Sequence, residues 1–369
     1  MKLLIIEPFF TGSHKTWAEG YQKNSSHEVE ILSLPGRFWK WRMHGGAITL
    51  AKRYHKLQFQ PDLILATDML NLPVFNSLIQ PTCPVAIYFH ENQFTYPWSP
   101  ADEDVKFQRD KHYGFINYSS TLIANHIYFN SQFHLDSFFT GLEDFLRQFP
   151  DYREIQNVEK IKEKSSVMYL GLDLHKFDPF IIEKNNNELP LILWNHRWEH
   201  DKNPESFFEI IQALSKKTAN FNLVVLGEEF NAELPCFTLA RTKLDKHILQ
   251  FGYTDSFNEY AKWLWKADIL LVTSNQDFFG SSIMEAVYCK TFPLLPSRLT
   301  YPELFDQERN PQLFYEDIND LVFKLNSLIN NIDKLRNQEL QHIAKEFDWL
   351  KMAPHYDNEY ELMLKLTEK

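Results

Sequence analysis

The chain has only three cysteines, Cys83, Cys236 and Cys289, and their spacing suits neither a disulfide framework nor a metal-ligand set. They read as buried thiols of a reducing compartment. No apolar run approaches the roughly 20 residues that a membrane span requires. The opening MKLLIIEPFF is too short for the apolar part of a signal peptide and has no small-residue cleavage site after it. A cytoplasmic protein with no targeting segment and no stable membrane insertion is therefore expected. Positive charge is in deficit, with a formal net charge of −11, so long-range attraction to nucleic acid phosphates is excluded as a general property. Glycine is scarce, 11 of 369 residues, aromatic content is high, and no short repeat occurs. What remains is an ordinary globular composition in a chain long enough for two domains.

Strand-like runs alternate with helical stretches throughout. KLLIIEP, EVEIL, DLILAT, PVAIYF and TLIANHIYFN (residues 121–130) come first, and LILWN, NLVVLG, ILQFGY, DILLVTS and TFPLLPS follow. The pattern predicts an α/β protein with two doubly wound parallel sheets. Residues 1–180 form the expected first domain and 188–346 the second, with a ligand cleft between them. The Asn-rich KNNNELP, Lys184 to Pro190, is the best linker. Glu143 to Ser166 is charged, with helical periodicity, and reads as a solvated helix and loop.

Asp277 to Glu285, DFFGSSIME, is the most informative stretch. The apolar run before it is of strand length and the residues after Gly280 have helical spacing, so the turn Phe279, Gly280, Ser281 opens a helix. A helix start offers unpaired N–H groups and a positive dipole end to a diphosphate. Glu285 can accept from ribose hydroxyls and Asp277 from those of a sugar. An acidic turn with a buried or capping Glu fits the same residues. Earlier, LPLILW leads into a loop carrying Arg197 and Lys202, and Asn203 with Pro204 starts a helix whose apolar face is Phe207, Phe208, Ile210, Ile211 and Leu214. At the carboxyl end of a strand, two cations suit a leaving diphosphate, although each alone also fits a solvated surface charge.

Together these blocks resemble the retaining glycosyltransferases of family 4, which have the GT-B fold of two Rossmann-like domains. The resemblance runs the length of the chain. It implies that Arg197 and Lys202 bind the donor diphosphate, that Asp277 and Glu285 hold donor sugar and ribose, and that His90, after PVAIYF, touches the donor sugar. The family's usual residue at Asp277 is Glu, so this chain has a shortened variant there. YLGLD, Tyr169 to Asp173, resembles the lead into the second domain, and Phe347 to Tyr360 the tail helix that returns to the first, so that 347–369 completes it. PFFTGSH, KWRMHGGA, FHENQFTYP, the FNS at Phe129 to Ser131 and FFGSSIMEA, in that order, are similar to the tRNA-queuosine α-mannosyltransferase family. That narrower resemblance implies transfer of mannose from GDP-mannose, as co-substrate and without a cofactor, to the cyclopentenediol of queuosine in tRNA. A family 4 enzyme acting with another nucleotide sugar on a lipid or polysaccharide, and a non-catalytic RNA-binding protein with a decayed sugar site, are the alternatives.

Gly12, Ser13 and His14 form a loop after the first strand, where an imidazole can meet a leaving phosphate or an acceptor; a structural hydrogen-bonding His fits equally. Glu91 and Asn92, beside His90, are further acceptor candidates, although neighbours in an extended strand point to opposite sides. From Arg37 to Lys56 there are six Lys or Arg, no Asp or Glu, and interleaved Phe38, Trp39 and Trp41. Arg37, Trp39, Lys40, Trp41 and Arg42 suit an unpaired anticodon loop. A helix with a basic outer face and tryptophans in the core, or one that docks to membrane, is the other reading of this segment. Asp102 and Asp104 have the spacing by which some glycosyltransferases hold a divalent cation, but their polar setting lacks strand context, and no metal is expected. No carboxylate is assignable to a double displacement, which favours same-face transfer with the departing phosphate taking the acceptor proton.

Overall fold

A computed structural model of the chain describes residues 1–98, 102–107, 111–218, 220–227 and 234–367. Twelve strands occur among them: β1 Lys2–Phe10, β2 Glu28–Pro35, β3 Leu63–Thr67, β4 Val85–Phe89, β5 His126–Phe129, β6 Ser165–Val167, β7 Leu191–Asn195, β8 Asn222–Leu226, β9 Ile248–Gly252, β10 Ile269–Leu271, β11 Phe292–Pro296 and β12 Phe314–Tyr315. They make two six-stranded sheets, ordered β2-β1-β3-β4-β5-β6 and β12-β11-β10-β7-β8-β9. All pairings are parallel. Every residue of β3, β4, β7 and β11 is buried, as strands covered by helices on both faces must be. The chain divides into two compact units, one of residues 1–173 with 347–369 and the other of residues 174–346.

Each sheet reverses its strand order once, between β1 and β3 in the first unit and between β7 and β10 in the second. Loops leaving the carboxyl ends of the two strands at such a reversal diverge to opposite faces and leave a crevice for a ligand. His14 follows β1 and Asp68 follows β3; Arg197 and Lys202 follow β7, and Asp277 follows β10. Each unit thus collects its chemistry-bearing residues at its own reversal.

The last helix, Trp349–Thr367, belongs to the first unit. Its Asp357 carboxylate accepts from Tyr21 Oη at 2.7 Å, Ser25 Oγ at 2.6 Å, and the backbone N–H and hydroxyl of Ser26 at 2.8 and 2.7 Å. Tyr356 Oη donates to the carbonyl of Tyr169 at 2.7 Å. Trp349 approaches so closely that a Cβ on Gly20 or Gly171 would lie 2.1 or 2.4 Å from its indole, so neither glycine admits a side chain while the indole stays.

The structure departs from the sequence reading in four places. Helix Lys111–Ile123 takes the front of TLIANHIYFN, and the strand begins only at His126. Tyr113, Ile116 and Thr121 share an inward helical face that the run of apolar letters concealed. The segment 143–166 contains two helical pieces and ends in the edge strand β6, whose residues are only half-buried and so lacked a strand-like apolar signal. Cys83 and Cys236 are half-buried and only Cys289 is buried; all three are free. The Lys184–Pro190 stretch lies within the second unit. Lys184 Nζ donates to the carbonyl of Lys290 at 2.8 Å and is 3.8 Å from buried Asp268. Burial lowers its pKa to about 8, against the attraction of that carboxylate.

Asp268 also binds Arg336 through both oxygens, at 2.8 and 2.9 Å, and accepts the Leu191 N–H at 2.9 Å. Asp268→Ala would leave two cations beside the foot of β7 without their counter-ion. Loss of one member of a buried pair costs about 3–5 kcal/mol. Urea unfolding should show a loss of that order, and a change under about 1 kcal/mol would contradict the role given to this cluster.

Candidate functional site

In the second unit the loop after β7 turns through a short 3₁₀ helix, His200–Lys202, and Asn203 then caps the next helix from a left-handed backbone, φ 52°. That turn buries Lys202, 9% exposed, and aims its ammonium at the loop after β10. Lys202 Nζ donates to the Gln276 carbonyl at 2.9 Å and lies 3.2 Å from Asp201 and 3.5 Å from Asp277. Burial alone would lower its pKa, but Asp277 and Asp201 outweigh burial and the opposing charge of Arg197, so the pKa is raised. Lys202 is therefore a fixed cation. Arg197 is half exposed, with Nη2 3.2 Å from Glu199.

Gly280 stands at φ 82°, a left-handed conformation in which a side chain is strained, and begins helix Ser281–Tyr288. The Asp277 carboxylate lies beside it, 3.6 Å from where a Gly280 Cβ would be, and accepts from Tyr301 Oη at 3.1 Å. Lys202, Asp277 and the helix start are thus brought together. Glu285, one turn along, binds Lys176 Nζ and Tyr260 Oη, both at 2.9 Å. Phe279, a donor candidate, is buried at 3% exposed. Ser281 is half-buried at the helix start.

Sequence reasoning missed His196, Lys176, Tyr260 and Tyr301. His196 is 3% exposed; burial first, then the charges of Lys202 and Arg197, lower its pKa to about 3, so its ring is neutral. Asn195 Nδ2 donates to the Ser282 carbonyl at 2.8 Å, tying the end of β7 to the first turn of the helix. The Asn195–His196 pair directly before Arg197 was a readable signal. Lys176 and the two tyrosines carried none, since they reach the site from distant segments.

In the first unit His14 is 7% exposed, with Nδ1 3.0 Å from Glu7 Oε2 and its ring 4.2 Å from that of His90, centroid to centroid. Burial opposes its protonation, but the charge and hydrogen bond of Glu7, with Asp68 and Glu91, raise its pKa to about 9. His90 is the complement: burial, and then the charge on His14, hold its pKa well below the usual imidazole range. Its backbone N–H donates to Asp68 at 2.8 Å, while Nε2 is buried with no partner among the described residues. Asp68 is pushed up by burial. Donor atoms of Glu7, His14 and His90 lie within 4.8 Å of one another, as in a metal-binding trio. A metal there would have to displace the proton that Glu7 helps hold on His14.

Glu91 acts on this cluster through its charge and accepts from Gln93 at 3.2 Å. Only the Oδ1 of Asn92 is committed to its own loop, accepting the N–H groups of Phe94 and Thr95, each at 3.0 Å; its Nδ2 has no partner among the described residues. Gly12, at φ 50°, and Ser13 are exposed at the head of the helix that carries His14. Asp102 and Asp104 each lie 2.6 Å from Lys40, so that carboxylate pair serves as a counter-ion. The same bonds remove Lys40 from the free basic surface, and Trp39, half-buried against Trp98 and Tyr113, is likewise withdrawn.

Because the pKa of His14 is raised, its contribution to stability is complete below pH about 6.5 and is lost as pH passes through about 9. Thermal unfolding of the wild type should fall across that window, and His14→Gln should flatten the fall; an unchanged fall in the variant would overturn the assignment of charge to His14.

Comparison with known proteins bears on family and fold. Residues 2–172 match the family described as tRNA-queuosine alpha-mannosyltransferase N-terminal, and residues 177–345 match Glycosyl transferases group 1. A tRNA-queuosine alpha-mannosyltransferase of Drosophila melanogaster is 33% identical over 339 residues, covering 88% of this chain and 85% of that protein. Two solved structures similar in fold are the sucrose-phosphate synthase of Thermosynechococcus elongatus and an N-terminal domain of Candida albicans trehalose-6-phosphate phosphatase. The first has TM-score 0.70 at 13% identity over 99% of this chain and 100% of that one. The second has TM-score 0.72 at 11% identity over 98% and 97%. With two Rossmann-like sheets, a fixed ammonium and a carboxylate at a helix start, and a relative this similar along most of both chains, the protein is a hexosyltransferase of GT-B fold and belongs to the tRNA-queuosine alpha-mannosyltransferase family.

Proposed function

We propose that this enzyme transfers mannose from GDP-mannose to the cyclopentenediol of queuosine in the tRNA anticodon, with retention at the anomeric carbon and without a metal or cofactor, in the cytoplasm. Among the described residues no helix is long and apolar enough to cross a membrane. The observation that carries the reading is the Lys202 ammonium held 3.5 Å from Asp277, beside the glycine that opens helix Ser281–Tyr288. Breaking the bond between the anomeric carbon and the diphosphate oxygen throws negative charge onto the phosphate. Lys202, Arg197 and the N–H groups of the helix start neutralise it without reorganising, because Lys202 is already fixed and charged.

Asp277 is assigned to hydroxyls of the transferred sugar and Glu285 to those of the ribose. Tyr301 on the one, and Lys176 with Tyr260 on the other, orient the two carboxylates. His90 offers a neutral ring with an unpartnered Nε2 to a sugar hydroxyl. With no carboxylate assigned to the opposite face of the sugar, the acceptor oxygen attacks on the side the phosphate leaves. Its proton passes to the departing phosphate oxygen. Membership of the family supports mannose as the sugar and queuosine as the acceptor.

Arg197→Ala, at a half-exposed side chain, should lower turnover by about 10²–10³-fold with unfolding unchanged. Lys202→Ala should lose at least as much and also destabilise, since Asp201 and Asp277 are left as buried like charges; turnover near wild type in Arg197→Ala would refute the diphosphate assignment. Activity should survive excess EDTA. Incubation with GDP-mannose and with UDP-sugars, on tRNA with and without queuosine, followed by mass analysis of the nucleosides, tests donor and acceptor together. A hexose on queuosine from GDP-mannose alone is expected, and transfer to queuosine-free tRNA would overturn the acceptor.

A further inference from the structure

The aromatic residues at the head of helix Trp39–Tyr54 divide into two sets. Trp39 packs inward on Trp98 and Tyr113, with ring centroids at 5.9 and 5.0 Å. Phe38 and Trp41 are turned outward, 72% and 65% exposed. Phe38 occupies a left-handed conformation, φ 57°, with the Arg37 guanidinium 6.0 Å from its ring centre. Trp41 is seated on Gly45: a Cβ there would lie 2.6 Å from the six-membered ring of the indole. Glycine inside a helix costs about 1 kcal/mol relative to alanine, and here its place is taken by an indole resting on the backbone.

Charge is arranged beside these rings. At 100° per residue, Trp41, Gly45, Ile48 and Lys52 fall on one stripe of the helix and Arg42, Thr49 and Arg53 on the next, while Lys56 lies in the turn just past its end. Arg42 Nε donates to the Pro35 carbonyl at 3.1 Å and Arg53 Nη1 to the Ser33 carbonyl at 2.8 Å, both on β2, the edge strand of its sheet. Each guanidinium is thereby fixed, with most of its five N–H groups still to offer. Lys52 and Lys56 are exposed, and no carboxylate occurs from Arg37 to Lys56 in a chain whose net charge is −11. A lipid surface requires a broad apolar face. Beyond the two rings, Ile48 is the one large apolar residue this face exposes.

We infer that the outward face of helix Trp39–Tyr54 is where unpaired nucleotides of the tRNA acceptor lie, bases stacked on Phe38 and Trp41, phosphates against Arg42, Lys52, Arg53 and Lys56. The inference rests on the tRNA reading above and gives that acceptor a surface. Rings with free faces accept any base, while fixed cations follow the backbone. The helix, about 24 Å long, is long enough for several nucleotides.

The test separates the surface from the reaction. Affinity for an unmodified anticodon stem-loop RNA is measured by fluorescence anisotropy, and mannosyl transfer to queuosine-containing tRNA in a separate assay. Phe38→Ala with Trp41→Ala should weaken RNA binding by about tenfold or more while GDP affinity and thermal unfolding stay as in wild type. Gly45→Ala should lower RNA affinity without loss of stability, because its methyl group unseats the indole. Lys52→Gln and Lys56→Gln should each reduce the slope of log affinity against log salt by about 0.7–0.9. Unchanged RNA affinity in the double variant overturns the surface, even where wild type transfers mannose. Failure of wild type to transfer overturns the function reading and leaves the binding result to stand by itself. A wild type that sediments as a dimer and a double variant that is monomeric would mean that this face pairs two copies of the chain, which also overturns the inference.

Discussion

Burying an ammonium is costly unless opposite charge surrounds it, and the second unit is organised around one such group. Lys202 remains protonated because Asp201 and Asp277 converge on it from different loops. That convergence starts from the sheet: β7 and β10 are neighbours, so the loops leaving their carboxyl ends begin side by side and touch there before they diverge. Asp201 belongs to the same 3₁₀ turn as Lys202, and its carbonyl accepts the N–H groups of Asn275 and Gln276 at 2.7 and 3.2 Å. The two loops are therefore joined through backbone as well as charge. A charge held this way is available before any substrate arrives, which is what stabilising a leaving group demands.

The first unit applies the same economy to a pair of imidazoles. Two imidazoles this close cannot both be charged at low cost, and Glu7 decides which one is. His14 takes the proton and His90 is left neutral, although the two rings are almost in contact. A cation and an uncharged nitrogen are thereby set side by side past the carboxyl ends of two strands, β1 and β4.

Much of this was legible in the sequence because the signals were local. Strand followed by glycine and helix at Gly280, and strand followed by cations and an Asn-Pro cap at Arg197 to Pro204, each occupy a few consecutive residues, and the structure has those local forms. What the sequence concealed was tertiary. Lys176 and Tyr260 meet Glu285 across 109 and 25 residues, and no pattern along the chain indicates either. Trp39 and Trp41 are two residues apart in a basic, aromatic run. A separation of two turns a helix by about 200°, so one faces the interior and the other solvent. The strands that escaped notice, β6 and β12, are three and two residues long and lie at sheet edges, where burial is too weak or the run too short to leave a pattern.

The placement of helix Trp349–Thr367 has a consequence for biosynthesis. Trp17, Tyr21 and Tyr88 lie in the first quarter of the chain, yet the residues that close over them, Trp349, Tyr356 and Tyr360, emerge from the ribosome last. Translation must pass through the whole of residues 174–346 before the amino-terminal unit can be sealed. Until then a half-finished aromatic surface is offered to chaperones, and a premature stop near the 3′ end of the message would spare the second unit while leaving the first permanently ajar.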